Sequence, residues 1–226
     1  MSPGLRVVSL VPSITETLLA WGVTPVACTR FCEQPELHHV GGTKDPDLRA
    51  IVALGPDLVV MDAEENRRED HDALVDAGVA VHATAVRSLE DLDEQLPVLA
   101  ELVGATWAPL GAPPSPPTTR SAFVPIWKRP WMSLGAPTYG SSLLRSLGIA
   151  EVTAARGPYT EVTLDEVAAL APDLVVAPDE PYPFGERHRS ELERVAPVVF
   201  VDGRDLLWWG ERTRAARERL SALVGG

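Results

Sequence analysis

The sequence predicts an α/β protein of two similar lobes, each a parallel sheet flanked by helices, facing each other across a cleft. Short β-branched runs alternate with helical stretches of about ten residues, the pattern of a parallel sheet. The phrase "PDLVV" is written twice, at Pro56–Val60 and at Pro172–Val176. A proline-rich stretch separates the two runs of elements.

Arg6–Val11 (RVVSLV) reads as a short buried strand. Pro12 and Ser13 end it. Ser13 or Thr15 then caps a helix with Glu16 in its first turn, and Gly22 stops it. "PVACTR" forms a second strand. Asp45 caps a helix that ends at Gly55, and "DLVVM" is a third strand. "NRREDHDALVDAG" is a polar-faced helix ending at Gly78, "VAVHAT" a fourth strand, and Ser88 caps a helix ended by Gly104. In "TWAPLGAPPSPPTTRS" the prolines 109, 113, 114, 116 and 117 remove amide hydrogens and fix φ, so an extended linker is expected. The predicted boundaries are a lobe over 1–104, a linker over 105–121 and a lobe over 122–226.

After the linker the order restarts. "SAFVPIW" reads as a strand. "PWMSLGAPTYGSSLLRSLGI" parallels "RVVSLVPSITETLLAWGV", with Ser133-Leu134 answering Ser9-Leu10 and Pro137 answering Pro12. "LDEVAALAPDLVV" answers "LRAIVALGPDLVV", and "VAPVVFVDG" answers "AGVAVHAT". Pro-Asp-Leu-Val-Val is also a common helix-to-strand joint, but several blocks in one order favour an internal duplication.

The chain has 226 residues, 45% of them apolar, enough for one large domain or two small ones. A net charge of −12 makes nucleic acid an unfavourable partner. Two cysteines, Cys28 and Cys32, make no disulfide framework. Pro12, Ser13, Thr15 and Glu16 interrupt any signal-like apolar run, and no stretch is long enough to span a membrane. As it stands the chain reads as cytoplasmic. A periplasmic or extracellular place follows if an export signal precedes it.

In open α/β sheets ligands lie beyond the carboxyl ends of the strands, so the post-strand loops hold the candidates. In the first lobe these are Pro12 and Ser13, Phe31 and Glu33, Thr43, and Asp62 with Glu64. In the second they are Trp127, Trp131, Tyr139, Tyr182, Trp208 and Trp209. Single aromatics often only cover strand ends; the collection favours a flat or apolar ligand.

"RVVSLVPSITETLLAWGV", "VGGTKDPDLRAIVALGPDLVV" and "TLDEVAALAPDLVVAPDE" resemble the helical-backbone (class III) substrate-binding proteins, above all the vitamin B12-binding branch. The resemblance covers nearly the whole chain. It implies a binding protein for an ABC importer that holds cobalamin, haem, a ferric siderophore or another metal chelate, needs no cofactor and is no enzyme. It also implies pocket aromatics at Phe31, Trp127 and Trp208 or Trp209, and permease-docking glutamates at Glu69 and Glu186. Family members join their lobes by a long helix; here that helix is expected to be shortened or replaced by the proline-rich linker. Two other readings stand beside it. One is a cytoplasmic enzyme or chaperone handling a tetrapyrrole or metal; the other is an interaction module with a degenerate cleft.

Cys28, Cys32, His38 and His39 offer soft ligands, but C-x3-C with adjacent histidines matches no standard structural zinc pattern, and a strand cysteine with loop residues is the plainer reading. Asp62, Glu64, Glu65, Asp179 and Glu180 close the two equivalent strands, where they either hold a cation or solvate loop tips. No phosphate-binding glycine motif is present, no Ser-His-Asp set can be placed, and His71 and His188 fall on solvated helices.

Overall fold

A computed structural model describes residues 4–111 and 117–224. These divide into two compact units. The first comprises Met1–Val86, Asp93–Pro109 and Trp209–Glu211; the second comprises Arg87–Leu92, Leu110–Trp208 and Arg212–Gly226.

The first unit is built on β1 (Val7–Ser9), α1 (Pro12–Ala20), β2 (Ala27–Cys28), β3 (His38–His39), α2 (Leu48–Ala53), β4 (Leu58–Asp62), α3 (Arg68–Asp76) and β5 (Val81–Thr84). Its sheet is parallel, in the order β3-β2-β1-β4-β5. Val8, Leu10, Val59 and Met61 pack with Ile51 and Leu74 in one core. The helix starts differ from expectation. Val11 is the N-cap of α1, with Pro12 in the first turn and no side-chain cap. Proline lacks an amide hydrogen, so it fits where no helical bond is needed. Ser13 and Thr15 therefore lie inside the helix. Asp47, not Asp45, caps α2 by accepting from the Ala50 amide at 3.0 Å.

The next helix, α4 (Leu89–Val103), starts where Ser88 Oγ accepts the Asp91 amide at 3.0 Å. Its first residues, Leu89–Leu92, group with the second unit and the rest with the first. Of the proline-rich stretch, residues 112–116 lie outside the described residues, so the predicted extended linker is described only at its ends.

The second unit contains β6 (Arg120–Phe123), β7 (Pro125–Trp127), β8 (Trp131–Leu134), α5 (Tyr139–Arg145), β9 (Ile149–Glu151), β10 (Tyr159–Val162), α6 (Leu164–Ala169), β11 (Leu174–Pro178), α7 (Arg189–Leu192), β12 (Val198–Val201), α8 (Gly203–Leu207) and α9 (Thr213–Val224). A parallel sheet has the order β12-β11-β6-β9, and an antiparallel one the order β10-β8-β7. Phe123, Val175 and Leu192 centre its core.

The order β2-β1-β4-β5 in the first unit is the order β9-β6-β11-β12 in the second. The duplicated phrase thus forms the interior strands β4 and β11. Two details depart from the sequence pattern. "SAFVPIW" is two strands in two sheets, because Pro125 cannot continue the parallel ladder as a donor. Ser133-Leu134, equated with Ser9-Leu10, lies in β8 of the antiparallel sheet; the topological counterpart of β1 is β6. A hairpin, β7–β8, has been inserted between β6 and α5, the counterpart of α1.

Candidate functional site

The candidate residues divide into those the fold presents and those it consumes. In the second unit, chain reversal after β7 brings Trp127 and Trp131 beside the loop that follows β11. Trp131 stacks on Phe184 with ring centres 5.8 Å apart and planes 7° apart. Tyr182 touches Phe184 at 4.7 Å and meets the edge of Trp127 at 5.6 Å. Phe184 is buried beneath this set, whereas Trp127 is 45% exposed. Lys128 lies over the Trp131 ring at 5.3 Å and is ion-paired with Glu191. Four aromatic rings, one cation and one carboxylate therefore share one patch.

His188, expected on a solvated helix, is buried against Tyr182 and Phe184 at 5.6 and 5.4 Å. Its Nδ1 accepts the Gly185 amide at 3.3 Å, and burial, then Arg187 and Lys128, lower its pKa. A neutral ring with its proton on Nε2 results. Its sequence signal was the run "PYPFGERH": proline and glycine so close together forbid a regular helix and turn the chain back on itself.

Trp208 is half-buried, with Arg212 over its ring at 5.5 Å and its indole bonded to Glu180. Burial first, opposed by that bond and by Arg204, raises the Glu180 carboxyl to about 7. Tyr139 is buried, and its hydroxyl is 2.9 Å from Thr213 Oγ1. It ties α5 to α9.

In the first unit Trp209 is buried. Ser13 is buried in α1, its carbonyl accepting Thr17 Oγ1 at 2.9 Å, and Pro12 is half-buried beside it. Phe31 and Glu33 are exposed on the turn after β2; Arg30 lies 4.8 Å from the Phe31 ring, and Glu33 has φ 54°. Asp62 is buried and already served by protein donors: the Glu64 amide at 2.9 Å and Thr84 Oγ1 at 2.8 Å. Burial, the largest influence, still raises its pKa. Thr43 and Glu64 give their carbonyls to Asn66 Nδ2 and Lys44 Nζ at 2.9 and 2.6 Å. Asp62 and Asn66 also line a cavity of 270 Å³ with Arg67, Arg68 and His71.

Cys28 and Cys32 are buried while His38 and His39 are exposed, and among the described residues no group of three or more metal-ligating side chains converges. A 610 Å³ cavity against α9 is lined by none of the predicted ligand residues. Among the described residues no helix is long and apolar enough to cross a membrane.

Comparison with known proteins agrees with this architecture. A periplasmic binding protein family model matches residues 7–108. The vitamin B12-binding protein of Salmonella choleraesuis (strain SC-B67) is 26% identical over 189 residues, 76% of this chain and 71% of its own. The periplasmic vitamin B12 binding protein BtuF of Vibrio cholerae superposes with a TM-score of 0.79 over 99% of this chain and 97% of its own, at 18% identity. The chain has the fold of these periplasmic binding proteins, and its first part matches their family model. The resemblance read from the sequence is borne out, and so is the α/β class with parallel sheets flanked by helices. The periplasmic heme binding protein HutB of Vibrio cholerae has the same fold at a TM-score of 0.80 over 98% of this chain and 99% of its own, at 16% identity. Periplasmic binding proteins named for vitamin B12 and for heme thus share this fold.

Proposed function

We propose that this chain is the substrate-binding component of an ABC importer, located outside the cytoplasm, and that it carries a flat metal chelate such as a corrinoid, haem or ferric siderophore without transforming it. The observation that carries this reading is the patch formed by Trp127 at the end of β7, Trp131 at the start of β8, and Tyr182 and Phe184 on the loop after β11. Stacked and edge-on rings offer broad apolar contact at small entropic cost, and Lys128 adds a cation for a peripheral carboxylate. Trp208, in the same unit, is a further ligand-facing residue. The vitamin B12- and heme-binding names of the relatives support the same class of ligand. Ser13, Thr43, Asp62, Glu64, Tyr139 and Trp209, buried or bonded within the protein, act as supports of the loops.

Glu69, exposed in the first turn of α3, and Glu186, exposed and bonded to Arg189 at 2.6 and 2.7 Å, are the proposed permease contacts. Titration of tryptophan fluorescence with cyanocobalamin, haemin and a ferric siderophore tests the ligand reading. Saturable quenching by at least one is expected. Flat traces across the whole panel would remove the proposal.

A further inference from the structure

The loops that carry Trp127 and Tyr182 also carry arginines. β7 and β8 are joined by the turn Lys128-Arg129-Pro130, which begins at Trp127. Arg129 is exposed and has φ 71°. That left-handed conformation is unfavourable for a residue with a Cβ, and such strain clusters where a side chain must be placed for function. A glycine would form the same turn without it. On the other loop Arg187 precedes His188, whose ring lies 5.6 Å from Tyr182. Burial first, then Arg187 and Lys128 through their charge, lower the His188 pKa, so both cations lie near that ring. The carboxylates around them are taken. Glu191 pairs with Lys128, and Glu186 and Glu193 both pair with Arg189. Among the described residues the Arg129 guanidinium makes no hydrogen bond or ion pair, and that of Arg187 donates only to the Pro183 carbonyl, at 3.2 Å. Two guanidiniums thus stand without a carboxylate on the loops of one aromatic patch, in a protein whose net charge is −12. All of these residues belong to the second unit.

We propose that the chelate bound at this patch is an anion with carboxylates on its rim, and that Arg129 and Arg187 select it over neutral chelates of similar size. The choice of ligand rests on the proposed function: the rings give contact area to any flat chelate, and charge decides among them. Trp131 is already covered by Phe184 and Lys128, so the open ring is Trp127, next in the chain to the turn that holds Arg129. A guanidinium offers a carboxylate two parallel N–H groups, and such charge-assisted bonds are about twice as strong as neutral ones. A corrinoid rimmed by amides gains the ring contact alone. A porphyrin with carboxylate side chains gains both.

The test titrates the whole chain with haemin, haemin dimethyl ester and cyanocobalamin at low and raised salt. Haemin is expected to bind about tenfold more tightly than its ester, or better. Salt should weaken the binding of haemin and leave that of the ester unchanged. Arg129→Gln together with Arg187→Gln should remove most of the haemin advantage and leave the affinity for the ester as it was. Arg129→Gly relieves the strained φ, so it should raise the melting temperature while weakening haemin binding. Equal affinity for acid and ester, tighter binding of cyanocobalamin than of haemin, or a double variant that loses acid and ester alike overturns the proposal and leaves the ligand reading standing. Binding of none of the three overturns it too, and the ferric siderophore then decides the ligand reading.

Discussion

The Asp173 carboxylate accepts both the amide and the hydroxyl of Ser121, at 2.6 and 2.7 Å. Its counterpart in the other copy of "PDLVV", Asp57, accepts the Arg6 amide at 2.7 Å. Both aspartates return the bond: their own amides donate to the carbonyls of Ser121 and Arg6, each at 2.9 Å. The aspartate of the repeated phrase is thus a strand-start clamp, tying β11 to β6 and β4 to β1. Asp57→Ala should cost about 1 kcal/mol, the net worth of one such bond. Asp173→Ala, losing two acceptor contacts, should lower the melting temperature further. The Ser121 bonds depress the Asp173 carboxyl pKa. Its stabilisation is therefore present above the unfolded value of about 3.9 and fades as pH falls through the folded value. Acid-unfolding curves of wild type and Asp173→Asn should converge at low pH; parallel curves would remove this account.

Glu180 gives the opposite sign. Its carboxyl is raised to about 7, by burial first, with Asp179 and Asp202 adding to the rise and Trp208 and Arg204 opposing it. A carboxyl raised above its unfolded value stabilises fully below that value, about 4.3, and the contribution is lost as pH rises through 7. Glu180 is bonded to the Trp208 indole, so its ionisation should appear in Trp208 emission. Emission should change with a midpoint near 7 in the wild type, and Glu180→Gln should flatten that step while leaving the folded far-ultraviolet dichroism unchanged.

Gly210 is needed for a close approach. A Cβ built there would stand 2.0 Å from Thr17 Oγ1, and the backbone has φ +124°. Beside it the Glu211 amide donates to Thr17 Oγ1 at 3.3 Å, and Glu211 accepts from the Trp21 indole. These contacts fix Trp209–Glu211 on α1. Gly210→Ala should cost about 3 kcal/mol, since overpacking and an unfavourable φ add. Thr17→Ala in the same chain should recover the part due to overpacking, and denaturant unfolding of the two variants separates the parts.

The parallel lobes were legible because β1, β4, β11 and β12 are short runs rich in valine, a local signal, whereas β3, His38–His39, carries none. The hairpin β7–β8 was not legible. Its strand Trp131–Leu134 repeats the Ser-Leu of Ser9-Leu10, and only its partners, β7 and β10, make it the centre of an antiparallel sheet and not a parallel strand. Pro125 was the available clue, since it breaks "SAFVPIW" where one strand was read. Among the ligand candidates, the expectation of post-strand positions fits Tyr182 and Trp208, while Trp127 and Trp131 close and open the strands β7 and β8. It could not separate them from Tyr139 and Trp209, because burial of an aromatic side chain depends on what packs over it. Tyr139 is covered by Thr213, far along the chain.

That difference between presented and covered rings sets the last prediction. Trp127 is exposed, and its described ring contact is an edge of Tyr182 at 5.6 Å. Trp131 lies on Phe184 and under Lys128, so it belongs partly to the core. Trp127→Ala should change stability by less than about 1 kcal/mol, as surface replacements do. It should weaken the bound chelate about tenfold or more, the loss of one stacked ring of 1–3 kcal/mol. Trp131→Ala should reduce both, with a stability loss of about 2 kcal/mol from the broken stack and the exposed Phe184. Chemical unfolding and chelate titration on the same preparations check the pair. Equal losses of affinity and stability in both variants would show that the patch is packing and not a binding face.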